Sequence, residues 1–310
     1  MTRGTGTMLF IVMCLIWGLT WLAIKTGVER VPPLFFAGTR FAVAGAILFA
    51  WGYAAGDCPA ISRADWRAFL LASLLLIVGT YSLLFWGMQL VPSGLAAVIN
   101  LSLTPTALLA LGLAYGEERF SLRQTSAVLL GIVGLVVLFR PGGGGSNGGA
   151  EPWGIAAIVG GTVAYAWGSV LSRPLLRRYS PIFVSAVTCL LGGAILIAAA
   201  LILEPIGGDT LLAFAAPAVL ASWLFLVLIG SLVAFTIYLR LVRDWGTARA
   251  GLYAFVSPAI AVLVGIVVSG ERPRASDFLG MAIMLAATWF ALGRPLPRLG
   301  ARPPAAQSPR

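Results

Sequence analysis

Long apolar runs, separated by short stretches carrying charge, proline or glycine, organise this chain. A spanning helix needs roughly 17 to 25 apolar residues, and most of the runs meet that length. The first runs from Gly4 to Ile24 and the second from Pro33 to Gly52, broken only by Arg40. From Ala68 to Gly116 there are 49 residues without a charge, too many for one crossing. Gln89, Pro92, Ser93 and Gly94 divide that run into a third span, Arg67 to Leu90, and a fourth, Gly94 to Tyr115. Leu122–Phe139, Trp153–Ser172, Pro181–Leu203, Ala218–Leu239, Thr247–Ser269 and Ala275–Leu292 bring the expected total to ten. The runs are continuous rather than alternating, which speaks against a β-barrel. Spans 4, 7 and 9 have no polar stripe, as a soluble bundle would require. The expected fold is an all-α polytopic membrane protein with ten transmembrane helices.

Composition agrees: 59% of the 310 residues are hydrophobic and 10% charged, against about 25% charged in soluble domains. Gly4–Ile24 is preceded by Arg3 alone and has no Ala-x-Ala-like site before Lys25, so it reads as a retained helix rather than a cleaved signal. A net charge of +10 could suggest nucleic acid, but its placement offers another reason. With both termini in the cytoplasm, fifteen basic and five acidic residues fall inside, and five basic and six acidic residues outside. That is the positive-inside bias, and no nucleic-acid partner is needed to explain the charge.

The chain also repeats itself. Trp17-Gly18 is echoed by Trp167-Gly168 at an offset of 150, and Gly45-Ala-Ile-Leu48 by Gly193-Ala-Ile-Leu196 at 148. Gly79 and Gly230 stand 151 apart; Pro105, Gly112 and Glu118 stand 153 before Pro258, Gly265 and Glu271. Loop insertions account for the drift. Five spans per half is an odd number, so the second half enters the membrane from the opposite side. Two inverted five-helix repeats are expected: residues 1–140, then a Gly-rich periplasmic linker at 141–151, then 152–293. Residues 294–310 form a Pro- and Arg-rich cytoplasmic tail, expected to be disordered. Inverted repeats frame the midplane site of secondary transporters.

Candidate chemistry is sparse. The chain has no His, which excludes Ser-His-Asp and Cys-His catalysis, and its three cysteines are scattered without a CxxC. Gly142–Gly149 lacks the Gly-Lys-Ser/Thr ending of a phosphate loop. No enzyme, metal site or cofactor is expected. Trp17 and Trp167 lie well inside their spans, beside glycines, and are candidates for a cavity wall or for close helix packing. Tyr81 and Trp86 in span 3 and Phe235 and Tyr238 in span 8 extend the candidate cavity. Asn100, an amide within hydrocarbon, is either a substrate contact or a bond between helices. Pro105 and Pro258 leave the carbonyls of Leu101 and Ala254 without an i+4 donor, so both are candidate kinks or hinges. Arg40 lies about 10 Å into its helix. It reads as a snorkelling anchor, a gate or a contact for a substrate carboxylate. The matching position is Thr188, so the charge is not shared by both halves. Glu118 and Glu271 are expected to fix helix ends. No acid lies deep in a span, which disfavours the alternative of a proton-coupled multidrug or cation exporter. A non-transporting structural or receptor protein is the alternative from another class.

The sequence resembles the EamA-type branch of the drug/metabolite transporter superfamily over residues 8 to 293. The resemblance rests on Ile16-Trp17-Gly18, on Pro32-Pro33 through Arg40-Phe41, on Pro105 through Gly116-Glu117-Glu118, and on Ser257-Pro258 through Ser269-Gly270-Glu271. It implies ten helices, no bound cofactor and export of amino acids, aromatic and other neutral ones foremost, or related metabolites across a bacterial inner membrane. Spans 1–4 and 6–9 would surround the cavity. The partners implied are small-molecule substrates and lipid, with no obligate protein partner.

Overall fold

A computed structural model describes residues 3–115, 150–234, 253–270 and 275–292, together with 126, 129–130, 133–134, 137, 237 and 241. Most of expected span 5, most of the Gly-rich linker, the end of span 8, the start of span 9 and the C-terminal tail fall outside the described residues. The described chain is almost entirely helical: α1 (Arg3–Val28), α2 (Pro33–Ala54), α3 (Arg63–Leu90), α4 (Ser93–Ala114), α5 (Glu151–Leu176), α6 (Pro181–Leu203), α7 (Gly208–Ala215), α8 (Pro217–Val233), α9 (Tyr253–Ser269) and α10 (Ala275–Leu292). Among the described residues, α1 to α6 are each long and apolar enough to cross a membrane. α7 and α8, bent by 71° at Pro217, make a seventh candidate crossing as a pair. The protein is a polytopic membrane protein.

Most helices begin where local chemistry ends the preceding turn. α2 and α6 open on Pro33 and Pro181, whose missing amide hydrogens cost nothing at a first turn. Ser62 and Ser180 cap α3 and α6, accepting from the amides of Asp65 and Phe183. α7 is an element that the sequence left in a loop. Thr210 Oγ1 accepts from the Gly207 amide at 3.3 Å, and Pro217 cannot continue the helix.

α2 and α6 lie antiparallel and close. A Cβ on Gly45 would stand 2.7 Å from the Leu190 nitrogen, and one on Gly193 2.8 Å from Ala42 Cα. These contacts match: Gly45 and Gly193, like Ala42 and Leu190, are 148 residues apart. An acid ties each end of the pair. On the face where α1 begins (the proximal face), the Ser180 hydroxyl, which caps α6, donates to Asp57 beyond α2. On the opposite, distal face, Glu204 beyond α6 accepts from the Leu34 and Phe35 amides at 2.8 and 2.9 Å, capping α2. Carboxylates suit these positions because helix N-termini present unpaired N–H groups and partial positive charge.

α3 and α8 each contain a π-helical stretch, Leu74–Gly79 and Phe225–Val233. Wider turns leave carbonyls short of partners, and hydroxyls take them up. Thr80 Oγ1 donates to the Leu75 carbonyl at 2.7 Å, and Ser231 Oγ to that of Leu226 at 2.9 Å. These donors and acceptors are 151 residues apart. Around this frame α3 and α4 pack on α5, while α1 and α4 pack on α9. The main buried core joins α1 to α6, α8 and α9, and includes Phe36, Phe85, Met88, Ile99, Ile158 and Leu196.

Candidate functional site

A distal and a proximal cavity open between the described helices. The distal one, of about 260 Å³, reaches Trp21, Ile24, Leu84, Asn100 and Thr104. The proximal one, of about 530 Å³, reaches Leu48, Trp51, Ile182, Ser185 and Cys189. They share one wall: Trp17, Arg40, Tyr81, Tyr165, Gly230 and Tyr253 line both. These residues come from α1, α2, α3, α5, α8 and α9, so the wall stands where six helices converge.

The wall is aromatic with a single cation. Trp17 Nε1 donates to the Gly230 carbonyl at 3.3 Å, inside the π-helical stretch of α8. Its ring meets Tyr253 edge-on with centroids 4.3 Å apart. Tyr81 packs on Phe41 at 4.2 Å and edge-on against Phe85 at 5.7 Å. Arg40 is buried, with Cζ 5.0 Å from the Phe41 ring centre and 5.9 Å from that of Tyr81. Asn100 Nδ2 donates to Thr162 Oγ1 at 3.0 Å, tying α4 to α5 while lining the distal cavity. The Asn100 amide thus serves as a link between helices and as a wall residue. Leu101, whose carbonyl faces a proline nitrogen at Pro105, lines the same cavity.

The remaining candidates are placed differently. Trp167 is 42% exposed, lines neither cavity and donates Nε1 to the Tyr115 hydroxyl at 2.7 Å. Trp86 is 44% exposed and also lies apart from both cavities. Pro105 lies within α4, and Pro258 is buried within α9. Phe235, Tyr238, Glu118 and Glu271 lie outside the described residues. Sequence reasoning passed over Tyr165 and Tyr253, both in the shared wall. The signal for Tyr165 was available: a phenol two residues before Trp167, inside an apolar run.

Two polar clusters lie at the helix ends. At the distal end of α3, Lys25 Nζ donates to the carbonyls of Met88, Gln89 and Val91 at 2.7, 3.3 and 3.1 Å and pairs with Glu29 at 3.5 Å. A cation there offsets the negative end of the helix dipole. On the proximal face, Asp65 accepts from Arg178, Tyr179 and Ser62 at 2.7, 2.9 and 2.7 Å, joining α3 to the end of α5. Burial holds the Glu204 carboxyl above the usual carboxylate range, outweighing the two backbone amides that lower it.

The model of the EamA-like transporter family matches this chain twice, at residues 4–140 and 152–293. The chain belongs to the EamA-like transporter family. It is a membrane transporter, not an enzyme. The uncharacterized inner membrane transporter YedA of Escherichia coli K12 is 31% identical over 87% of this chain and 85% of its own length. Protein PagO of Salmonella typhimurium is 26% identical over 84% of each chain. A probable amino-acid metabolite efflux pump of the same organism is 23% identical over 94% of this chain and 95% of its own. A crystal structure at 21% identity covers 94% of this chain and 97% of its own with a TM-score of 0.53, a likeness of fold.

Proposed function

We propose that this EamA-family chain exports amino acids, aromatic and other neutral ones, or related small metabolites across the bacterial inner membrane by alternating access. The observation that carries this reading is the wall shared by a proximal and a distal cavity. A substrate held there could be exposed to each face in turn by helix movement. The aromatic lining suits an apolar side chain, and the name of the Salmonella efflux pump points the same way.

Ten transmembrane helices in two inverted halves, 1–140 and 152–293, are part of the proposal. The matched contacts of α2 and α6, the acid that each sends to the other's first turn and the paired π-helical stretches support it, since an inverted pseudo-two-fold would produce each of them. Both termini are cytoplasmic, the linker at 141–151 is periplasmic, and the proximal face is the inner one. Pro105 and Pro258 are retained as hinge candidates, Glu118 and Glu271 as helix-end residues, and Phe235 and Tyr238 as cavity candidates. Trp167 and Trp86 carry no substrate role in this account.

The test of function is efflux of labelled amino acids from liposomes containing the purified chain, saturable with concentration. No flux above protein-free vesicles for any neutral amino acid would reject it. Reporters fused after Gly144, at Arg177 and after Arg298 test topology: periplasmic, cytoplasmic and cytoplasmic readings are expected. A cytoplasmic reading at Gly144 would overturn the orientation. Phenylalanine efflux should also persist once the proton gradient is collapsed, because no wall residue described is an acid.

A further inference from the structure

Arg40 is the charged residue among those lining the two cavities, and it lines both. Its relative exposure is 8%. Among the described residues its Nε has no hydrogen-bond partner, and none of the ion pairs involves its guanidinium. The rings of Phe41 and Tyr81 engage its faces but leave the donor edge unused. Burial of a cation without a counter-charge is costly, so a purely structural arginine would be expected to have partners. Lys25 shows how this protein anchors such a cation: on three carbonyls and a glutamate. The scaffold does not demand a charge here either. Thr188, at the matching position of α6, is buried and returns its hydroxyl to the Val184 carbonyl at 2.8 Å.

We infer that Arg40 is the carboxylate subsite of the transport route, and this rests on reading the two cavities as that route. A planar carboxylate fits the guanidinium edge, supplying the missing acceptors and counter-charge together. The apolar part of the substrate lies against Trp17 and Tyr253. The substrate class is therefore carboxylate-bearing: amino acids, and carboxylic acids that lack an ammonium group. Amines and amides of the same shape leave Arg40 unpaired and are poor ligands.

Two readouts on the full chain test this. One is thermal unfolding in detergent with L-phenylalanine, 3-phenylpropionate or L-phenylalaninamide added. The other is efflux of labelled L-phenylalanine from liposomes, with the other two compounds as competitors. Both carboxylates should raise the melting temperature and 3-phenylpropionate should compete, while the amide does neither. Arg40→Leu should lose the melting shift and reduce flux about tenfold or more, the effect of a lost charge-assisted bond. Arg40→Lys should keep part of both, since a cation remains. An amide as effective as phenylalanine would overturn the assignment. So would a folded Arg40→Leu protein with wild-type shift and flux, or carboxylates that leave the wild-type melting temperature unchanged. Carboxylate-dependent shifts without phenylalanine flux would instead refute amino-acid export and leave the subsite standing. Should Arg40→Leu not fold, the wild-type contrast between phenylalanine and its amide decides.

Discussion

Trp17 gives its indole hydrogen to the Gly230 carbonyl and forms part of the wall between two cavities; Trp167, 150 residues later, is half exposed and gives its own to Tyr115. Arg40 lines both cavities, whereas Thr188 at the matching position bonds within its own helix. Elsewhere the halves agree closely. Gly45 and Gly193 admit each other's helices, Asp57 and Glu204 tie opposite ends of one helix pair, and Thr80 and Ser231 serve equivalent π-helical stretches. Among the described residues these helix contacts thus recur at matching offsets, while Trp17 and Arg40 at the cavity wall have no such counterparts. A duplicated frame can carry one unduplicated site, because close packing constrains backbone approach and a cavity wall does not.

The strongest way to break this comparison is to load the shared frame. Gly45→Val and Gly193→Val each drive side-chain carbon into backbone of the opposite helix, which has no rotamer by which to yield. Overpacking of this kind costs about 1–3 kcal/mol or more, and the two variants should lose similar amounts of folded protein. Melting temperature and yield in detergent measure it. A mild effect at one glycine and a severe one at the other would end the claim of an equivalent frame.

A smaller, paired effect is expected at the π-helical stretches. Thr80→Ala and Ser231→Ala each leave a carbonyl without its hydroxyl donor, at a cost of about 0.5–1.5 kcal/mol. Equal losses in thermal unfolding would sharpen the equivalence; a neutral Ser231→Ala beside a costly Thr80→Ala would weaken it.

The smallest effect concerns pH at the distal cap. The carboxyl of Glu204 is raised by burial, so the folded state binds its proton more tightly than the unfolded chain does. Its contribution to stability is fully present below the unfolded value and is lost as pH rises through the folded one. Glu204→Gln, a mimic of the protonated form, should flatten that part of the melting curve against pH. A wild-type profile that rises with pH across this window, or one that Glu204→Gln leaves unaltered, would contradict a carboxyl raised by burial at this cap.

Much of the frame was legible in sequence because it is written in run lengths and in small residues at fixed offsets. α1 to α6 coincide with expected spans apart from a few residues at their ends. Of the residues singled out in sequence, Trp17, Arg40, Tyr81 and Asn100 line a cavity. Trp86 and Trp167 do not, and the reason is physical. These helices are apolar around most of their circumference, so periodicity does not say which side meets a cavity and which meets lipid. The π-helical stretches were invisible for a similar reason, since Leu74 to Val78 is an unbroken apolar run. Asn100 was read as bond or contact; it bonds Thr162 and lines the distal cavity.

The most direct test of an unduplicated site on a duplicated frame is phenylalanine efflux by Trp17→Ala and Trp167→Ala proteins, matched for amount and with melting temperatures recorded. Trp17→Ala removes a large part of the wall and its bond to Gly230, so flux should fall about tenfold or more, as for loss of an aromatic anchor. Trp167→Ala removes the bond to Tyr115 and the packing of a half-exposed ring outside both cavities, so stability falls but flux per folded molecule should stay near that of wild type. Equal losses of flux in the two variants, or a greater loss in Trp167→Ala, would contradict the account.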